Sequence, residues 1–329
     1  MRVIRYTKER RRSRRKALII YLFFGTLLVI AYILTKSVFT KPVSQEILGE
    51  EHLQAETTPF PTPIPIIEDE VTGSELLGET ISDALTGTHG TYGIVVKNLE
   101  TGESYSLNEH AKFYSASLYK LWIMGTAYKQ IKDDKLKEND VLQSTIPALN
   151  EKYNIPPESA ELKEGDIKLT VKDALSKMIT VSDNYAALLL TEKVKLSNAS
   201  SFLDRNGFRE SVLGSSAKEG VPTTTPHDIA LFFEKLYKKQ LVNESYSDKM
   251  IQLLKSQRLN EKLPKLLPDN IVVAHKTGEL DEFTHDAGIV YAQNGDYIIV
   301  VLSKSNDPPL AEDRISNISQ AVFNYFQNK

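Results

Sequence analysis

Segments typical of β-strands and of α-helices occupy different parts of residues 73–329, and this separation constrains the fold more than any other feature. Strand patterns, rich in apolar and β-branched residues, occur near the start and again near the end of the region, over residues 92–98, 103–107, 271–276, 287–292 and 296–303. Between these groups the spacing of apolar residues predicts helices, over residues 117–132, 171–179, 184–195, 226–238 and 247–259. Because strands must pair, the two ends of this region are expected to meet.

The turns between the strands indicate an antiparallel arrangement. Residues 99–102 separate the first two strands, and a Gln-Asn-Gly sequence at 293–295 separates the last two, as in hairpins. Further helices are predicted at residues 75–85 and 310–326. The expected fold class is therefore α/β (α+β), with one antiparallel sheet, terminal helices that flank it and an all-helical subdomain inserted between its strands. A cleft is expected where the two parts meet.

The N-terminal part of the chain has the pattern of a membrane anchor. Residues 17–34 carry no charge, and a helix of this length extends about 27 Å, close to the thickness of a hydrocarbon core. Nine Lys or Arg residues precede the apolar run within residues 2–16, so the positive-inside rule predicts a cytoplasmic tail at residues 1–16 and an extracytoplasmic remainder. A cleaved signal peptide is the alternative, but residues 34–37 offer no small-x-small cleavage site.

Residues 35–72 have the composition of a linker. Prolines alternate with other residues around Pro59, Pro61, Pro63 and Pro65, which excludes a helix and favours extended polyproline II structure. The predicted organisation is therefore a tail, a single-pass span at residues 17–34, this linker, and a catalytic domain at residues 73–329 outside the cell membrane.

Composition excludes several classes of function. The chain has no cysteine, so disulfides, thiolate metal sites and a cysteine nucleophile are excluded. The formal net charge of −3 argues against a nucleic-acid partner. The six histidines show no metal-ligand spacing, and we expect neither a metal nor an organic cofactor.

A Ser-x-x-Lys sequence at Ser117 and Lys120 is the first candidate for chemistry. This spacing at a helix start places the hydroxyl and the amine on one face. A neighbouring neutral amine can take the proton of a serine nucleophile. The apolar residues at positions 121–124 favour burial of Lys120, which would lower its pKa, whereas the same pattern at Ser13 and Ser215 lacks such a helix.

Two further motifs follow in the sequence. Ser182-Asp183-Asn184 lies between two predicted helices, where an aspartate alone would be interpreted as a helix cap. Lys276-Thr277-Gly278 comes at the end of the predicted strand 271–276. Neither tripeptide is specific by itself, but the three motifs occur once together, in this order and each in a fitting structural setting.

This set of motifs resembles that of the class A β-lactamases and penicillin-binding proteins, over essentially all of residues 73–329. The resemblance implies a β-lactamase/transpeptidase-like fold and an acyl-enzyme mechanism. It implies Ser117 as nucleophile, Lys120 as proton acceptor and Ser182 as proton donor to the leaving nitrogen. Asn184 would bind Lys120 and the substrate amide, and Lys276 with Thr277 would bind the substrate carboxylate. Gly278 and Glu279 are further substrate-binding candidates.

The resemblance also implies an oxyanion hole made by the backbone N–H groups of Ser117 and Glu279, with each donor contributing about 3–4 kcal/mol. The expected partners are a β-lactam or a peptidoglycan stem peptide, and the membrane through the N-terminal helix.

The sequence departs from the class A pattern where a glutamate should activate the deacylating water. Glu210 begins an E-x-x-L stretch, but Gly214 stands in the position of the expected asparagine. In the alignment that we favour, the loop is shortened to residues 214–222 and its sole acid is Glu219. Glu219 could serve as the base, but we favour a solvated side chain. A missing base would leave acylation intact and deacylation slow.

Three functions remain open on these grounds. The first is a β-lactamase that clears its acyl-enzyme. The second is a membrane-anchored penicillin-binding DD-peptidase, and the third is a poorly catalytic penicillin-binding sensor.

Overall fold

The computed structural model describes residues 71–214 and 221–329. The predicted tail, anchor and most of the linker lie outside these ranges, and so does Glu219. Within the described residues, no helix has both the length and the apolar composition needed to cross a bilayer. Val71 and Thr72, which we assigned to the linker, form a short strand with Gly73.

A six-stranded antiparallel sheet joins the two ends of the domain, as the strand distribution predicted. Its strands in sheet order are β1 (Val71–Gly73), β3 (Ser104–Leu107), β2 (Thr91–Asn98), β10 (Tyr297–Lys304), β9 (Phe283–Tyr291) and β8 (Val272–Leu280). The central pair brings the ends together, with Val95 opposite Val300 and Val96 opposite Ile299. β8 therefore lies at one edge of this sheet, and its outer backbone groups face away from β9.

Helices cover both faces of the sheet. They are α1 (Glu75–Leu85), α2 (Tyr119–Lys132), α3 (Ile146–Lys152), α4 (Val171–Thr180), α5 (Asn184–Val194), α6 (Leu196–Asn206), α7 (Pro226–Tyr237), α8 (Glu244–Lys255) and α9 (Pro308–Gln327). Alternate side chains of a strand point to opposite faces. Ile94 and Val96 therefore pack with the terminal helices α1 and α9, while Val95 packs with the helical subdomain.

Helix α2 is the centre of the helical subdomain. Leu121, Trp122, Ile123 and Met124 are all fully buried, so this helix has no solvent-facing side in its first turns. A helix that is apolar all round lies in a protein interior. The burial that the sequence predicted for Lys120 follows from this position, and its side chain has no exposed surface.

The subdomain is not entirely helical, which corrects one detail of the prediction. Strands β5 (Val141–Thr145) and β6 (Asp166–Thr170) form a two-stranded ribbon beside α3, and the short strands β4 (Phe113–Tyr114) and β7 (Thr223–Thr224) also pair. The ribbon strands are short and largely exposed. They therefore lack the apolar run on which the strand prediction depended.

Two strand boundaries also differ from the prediction. β8 continues to Leu280, so Lys276-Thr277-Gly278 lies inside the strand and not at its end. β9 begins at Phe283, four residues before the predicted start, because its early polar residues are buried and hydrogen-bonded across the sheet. Polar residues at buried positions do not give an apolar strand pattern.

Candidate active site

The Ser-x-x-Lys segment forms the entry to helix α2. A single 3₁₀ turn, Ala116–Leu118, carries Ser117 and continues into the helix. Ala116 has φ 44°, a left-handed conformation that is unfavourable for a residue with a Cβ. The partly exposed Ser117 is thus held at a sharp, strained turn directly before a buried helix.

The ammonium group of Lys120 connects α2 to the Ser182-Asp183-Asn184 segment. Lys120 Nζ donates to the backbone oxygen of Ser182 at 2.7 Å, to Ser182 Oγ at 3.1 Å and to Asn184 Oδ1 at 2.7 Å. All three N–H groups of the charged amine therefore have acceptors in this segment. Loss of one proton leaves two donors and frees a lone pair, so the neutral amine remains well held and can act as a base.

The environment of Lys120 favours this neutral form. Burial lowers the pKa of Lys120 to about 8, and the nearby carboxylates of Glu161 and Asp183 act in the opposite direction. At pH 7 a group with this pKa is neutral in about a tenth of molecules. An ordinary exposed lysine would have a far smaller neutral fraction, so the fold favours the form of Lys120 that a general base requires.

Ser182 lies between two lysines. Its hydroxyl oxygen accepts hydrogen bonds from Lys120 Nζ at 3.1 Å and from Lys276 Nζ at 3.0 Å. The residue has φ 56°, so it is in a left-handed conformation, as is Ala116 beside Ser117. Asp183 then caps α5 by accepting from the N–H of Ala186, so the aspartate has the cap role expected for such a junction.

Lys276, in the Lys-Thr-Gly motif, contacts the Ser182 hydroxyl from strand β8. It is fully buried on β8, and burial together with the charge of Lys120 lowers the pKa of Lys276 well below its ordinary value. Two amines that share one hydroxyl disfavour each other's charged form. The arrangement can hold and move a proton among Lys120, Ser182 and Lys276.

Gly278 sets the distance between β8 and the nucleophile turn. A Cβ built on Gly278 would lie 3.3 Å from the backbone N of Ser117, and equally close to Ala116 Cβ and the Ser115 oxygen. The strand edge can thus approach the Ser117 N–H because residue 278 has no side chain. Thr277 on the same strand is buried, whereas the Glu279 side chain is 58% exposed and forms an ion pair with Lys262.

Buried polar side chains on β9 make hydrogen bonds to β8 and to the segment before Ser117. His275 Nδ1 contacts Asp286 Oδ1 at 2.9 Å, and the second Asp286 oxygen accepts from the N–H of Leu263. His285 Nε2 donates to the backbone oxygen of Tyr114 at 2.8 Å, three residues before Ser117. Burial lowers the pKa of His285 to about 4, so a neutral ring links the sheet to the nucleophile segment at neutral pH.

Two site residues were missed by the sequence analysis. Glu161 accepts a hydrogen bond from Asn184 Nδ2 at 2.6 Å, so one end of the Asn184 amide faces Lys120 and the other faces a carboxylate. Lys262, with a side chain only 3% exposed, pairs with Glu279 beside the Lys-Thr-Gly strand. Neither belongs to a motif, and no local pattern could have identified contacts made across such sequence separations.

Only one of the two candidate deacylation bases lies within the described residues. Glu219 lies outside the described residues. Glu210 contacts His110 Nδ1 at 2.9 Å and accepts from the Thr225 hydroxyl at 2.7 Å. These contacts place its carboxylate in a cluster with histidines, separate from the hydrogen bonds that join Ser182 to the lysines.

Comparison with known proteins extends these observations. The sequence pattern of the Beta-lactamase enzyme family matches residues 76–326. β-Lactamase VEB-1 of Pseudomonas aeruginosa is 23% identical over 277 residues, which cover 76% of this chain and 90% of that protein. The β-lactamase structure from Sphaerobacter thermophilus DSM 20745 superposes with a TM-score of 0.68 at 23% identity, covering 77% of this chain and 97% of that one. A PBP-A mutant solved as an acyl-enzyme complex with penicillin G gives 0.67 at 23% identity, with the same coverage.

The three motifs come together in a fold with the β-lactamase/transpeptidase-like architecture. Its nucleophile turn, its Ser-Asp-Asn segment and its Lys-Thr-Gly strand meet where the helical subdomain joins the sheet. The chain belongs to the β-lactamase enzyme family.

Proposed function

We propose that this protein hydrolyses β-lactams through an acyl-enzyme formed on Ser117. The observation that carries the proposal is the Ser182 hydroxyl, which lies within hydrogen-bond distance of two buried lysines whose pKa values are both lowered. Burying two lysines around a hydroxyl costs free energy of folding, and an apolar contact would stabilise the fold at a lower cost. Buried groups with shifted pKa values cluster at functional sites. This hydroxyl is suited to carrying protons between a nucleophile and a leaving nitrogen.

The proposed reaction uses these groups together with the hydroxyl of Ser117. Ser117 Oγ attacks the β-lactam carbonyl carbon while its proton passes to the neutral amine of Lys120. The backbone N–H of Ser117, at the edge of β8, stabilises the oxygen on which negative charge develops. When the C–N bond breaks, the nitrogen takes a proton through the Ser182 hydroxyl, and the ester on Ser117 remains. Water then attacks the ester carbonyl, so that the ester C–O bond breaks, the opened acid is released and the Ser117 hydroxyl is restored.

Substrate binding is assigned to the positive side of the cleft. Lys276 and Thr277 are proposed to bind the carboxylate of the substrate, as the resemblance implies. Lys262 lies beside this strand in an ion pair with Glu279. Asn184 is proposed to bind the side-chain amide of the substrate while it holds Lys120.

A penicillin-binding DD-peptidase that releases its acyl group slowly is the second candidate. It is favoured by the contacts of Glu210, whose two carboxylate oxygens are engaged by His110 and Thr225. A carboxylate held in this way is poorly placed to activate a water at Ser117. The PBP-A mutant that was solved as an acyl-enzyme complex with penicillin G is a protein of this fold in an acyl-enzyme state.

Intact-mass spectrometry of benzylpenicillin-treated protein over time tests both candidates together. An adduct with the mass of one benzylpenicillin that forms on wild type and not on Ser117→Ala establishes acylation. Decay of the adduct with turnover of a chromogenic cephalosporin supports the β-lactamase. A persistent adduct, with release of D-Ala from an acyl-D-Ala-D-Ala peptide, supports the peptidase, and a persistent adduct with neither activity supports the sensor.

Absence of any adduct on wild type, together with absence of cephalosporin turnover, would contradict every version of the proposal. Ser245→Ala is a matched control, because this serine lies on helix α8 and outside the three motifs. Its adduct should form at the wild-type rate.

We also propose that residues 17–34 anchor the chain in the cell membrane, with the tail inside and the catalytic domain outside. The uncharged run and the nine preceding basic residues support this topology. Protease added to intact cells should remove the catalytic domain and spare the tail. A protein found entirely in the soluble fraction, or a domain protected until the cells are opened, would contradict the topology.

A further inference from the structure

A cluster of metal-ligand side chains lies outside the catalytic motifs. It consists of Glu109, His110, Glu210 and His227, and we refer to it as the histidine cluster. The nearest ligand atoms of Glu109, His110 and His227 all lie within 4.8 Å of one another. The sequence analysis found no metal spacing among the histidines, because His110 and His227 are far apart along the chain and only the fold brings them together.

The distances within the histidine cluster are those of groups that converge on a common point. His110 Nε2 lies 3.7 Å from Glu109 Oε1, and His227 Nδ1 lies 3.8 Å from Glu109 Oε2. The two imidazole rings are 4.9 Å apart between centroids and tilted by 38°. In a tetrahedral zinc site the ligand atoms are about 3.3 Å apart, because Zn–N and Zn–O bonds are about 2.0–2.2 Å.

Backbone and side-chain contacts hold the ligands in place. The N–H of His227 donates to the backbone oxygen of Glu109, which joins the two segments that carry the ligands. The Thr225 hydroxyl, which also caps helix α7, donates to Glu210 Oε2. Glu210 Oε1 in turn contacts His110 Nδ1 at 2.9 Å. A carboxylate that orients the second nitrogen of a histidine is the usual outer partner in zinc sites.

Charge and exposure suit a cation that enters from solvent. The side chains of His110 and His227 are 43% and 42% exposed, so both rings can be reached. Two carboxylates, those of Glu109 and Glu210, balance the charge of a divalent ion. They also offset the positive end of α7, at whose first turn His227 lies.

We infer that Glu109, His110 and His227 bind a Zn²⁺ ion, with Glu210 orienting His110 from behind. The donor set of two imidazoles and one carboxylate is one that zinc prefers, and a water can complete the coordination. Small rotations of the exposed side chains bring the ligand atoms to bonding distance.

A bound ion would link two segments that matter for the catalytic site. The segment with Glu109 and His110 leads through β4 to Ser117. Helix α7 with His227 follows β7, which pairs with β4. Phe113 at the start of β4 lies opposite Thr224 at the end of β7, so the two ligand segments lie at the same end of this antiparallel pair. The ion would join them there without contacting Ser117, and its expected effect is on the stability of this region.

Isothermal titration of the full chain in detergent, stripped with a chelator and then titrated with zinc chloride, tests the site. Wild type should bind one equivalent and melt at a higher temperature with zinc. Loss of an outer partner costs about 10–100-fold in metal affinity, so His110→Ala and His227→Ala should each weaken binding at least about tenfold. His89→Ala, which removes an exposed histidine outside the cluster, should bind zinc as wild type does.

The melting temperature in the presence of chelator distinguishes loss of a ligand from loss of folding, because the cluster variants should then match wild type. Glu109→Gln is a second, milder variant that removes the carboxylate charge and should also weaken binding. Anomalous scattering at the zinc edge from a zinc-soaked crystal should give a peak between the two histidines. Wild-type affinity in both histidine variants, or a peak elsewhere, would overturn the inference.

Discussion

At the scale of single residues, the site depends on a lysine that is buried and still reaches three acceptors. The motif Ser117-x-x-Lys120 and the apolar residues after it were sufficient to predict the burial of this amine. The acceptors Ser182 and Asn184 could be named from the second motif. The hydrogen bond that the side-chain N–H of Asn184 donates could not be predicted from it. Glu161 provides that contact, and nothing in its local sequence distinguishes it from the other acids around it.

The carboxylate of Glu161 raises the pKa of Lys120, so its removal should make the base easier to form. Glu161→Gln keeps an oxygen that can accept from Asn184 Nδ2 and removes only the charge. At pH 6, below the pKa of Lys120, acylation should become about two- to fivefold faster, because a partly exposed charge pair contributes about 0.5–1 kcal/mol. At pH 9 the rate should be unchanged.

Intact-mass spectrometry of samples quenched at successive times gives the rate of penicillin acylation at the two pH values and so measures this effect. Glu164→Gln, a charge removal in the same exposed segment, is the matched control and should leave both rates as they are. A slower reaction of Glu161→Gln at pH 6 would show that the charge has a different role.

At the scale of elements, the site forms where the edge strand β8 packs against the 3₁₀ turn that carries Ser117. The sequence predicted that helices and strands would segregate and that the third motif would lie near a strand end. It did not predict that β8 continues through the motif, because Lys276 and Thr277 are polar residues at buried strand positions. The polar start of β9 was missed for the same physical reason.

Gly278→Ala tests the closeness of this approach. The new Cβ would lie 3.3 Å from the N of Ser117, so β8 and the turn must separate by a few tenths of an ångström. Since a misplacement of about 1 Å can cost 100-fold in rate, we expect acylation to slow about tenfold. The backbone of Gly278 is not left-handed, and the substitution therefore changes spacing without imposing backbone strain.

The rate of adduct formation and the melting temperature should be measured on the same sample of Gly278→Ala. Slow acylation with a melting temperature close to that of wild type is the expected result. Wild-type acylation by this variant would mean that the distance from the strand to Ser117 is not critical.

At the scale of the whole molecule, the sheet unites residues from the two ends of the domain, and the helical subdomain lies between them in sequence. This arrangement was predicted because strand patterns at both ends must pair. The ribbon of β5 and β6 was not predicted, since its strands are short and mostly exposed. The histidine cluster was not predicted either, because it requires the register of β4 with β7.

The buried pair of His275 and Asp286 holds β8 to β9 beneath the site, and its loss should weaken the entire fold. Asp286→Ala leaves His275 and the N–H of Leu263 without their acceptor. Breaking a buried pair of this kind costs about 3 kcal/mol or more. The free energy of unfolding, measured by urea denaturation, should fall by that amount.

Asp269→Ala, at an exposed position, serves as the comparison and should change the free energy of unfolding by less than about 0.5 kcal/mol. Equal stability of the two variants would show that the buried pair does not hold the strands together.

The central claim is that Lys120, whose pKa is lowered by burial, takes the proton from Ser117 in its neutral form. The most direct measurement is the rate of penicillin acylation of Ser117 as a function of pH, followed by intact mass. A base must be deprotonated to act, so the rate should rise tenfold per pH unit at low pH and level off near the Lys120 pKa of about 8. A rate that is constant from pH 6 to pH 9, or that falls as the pH rises through this range, would contradict the account.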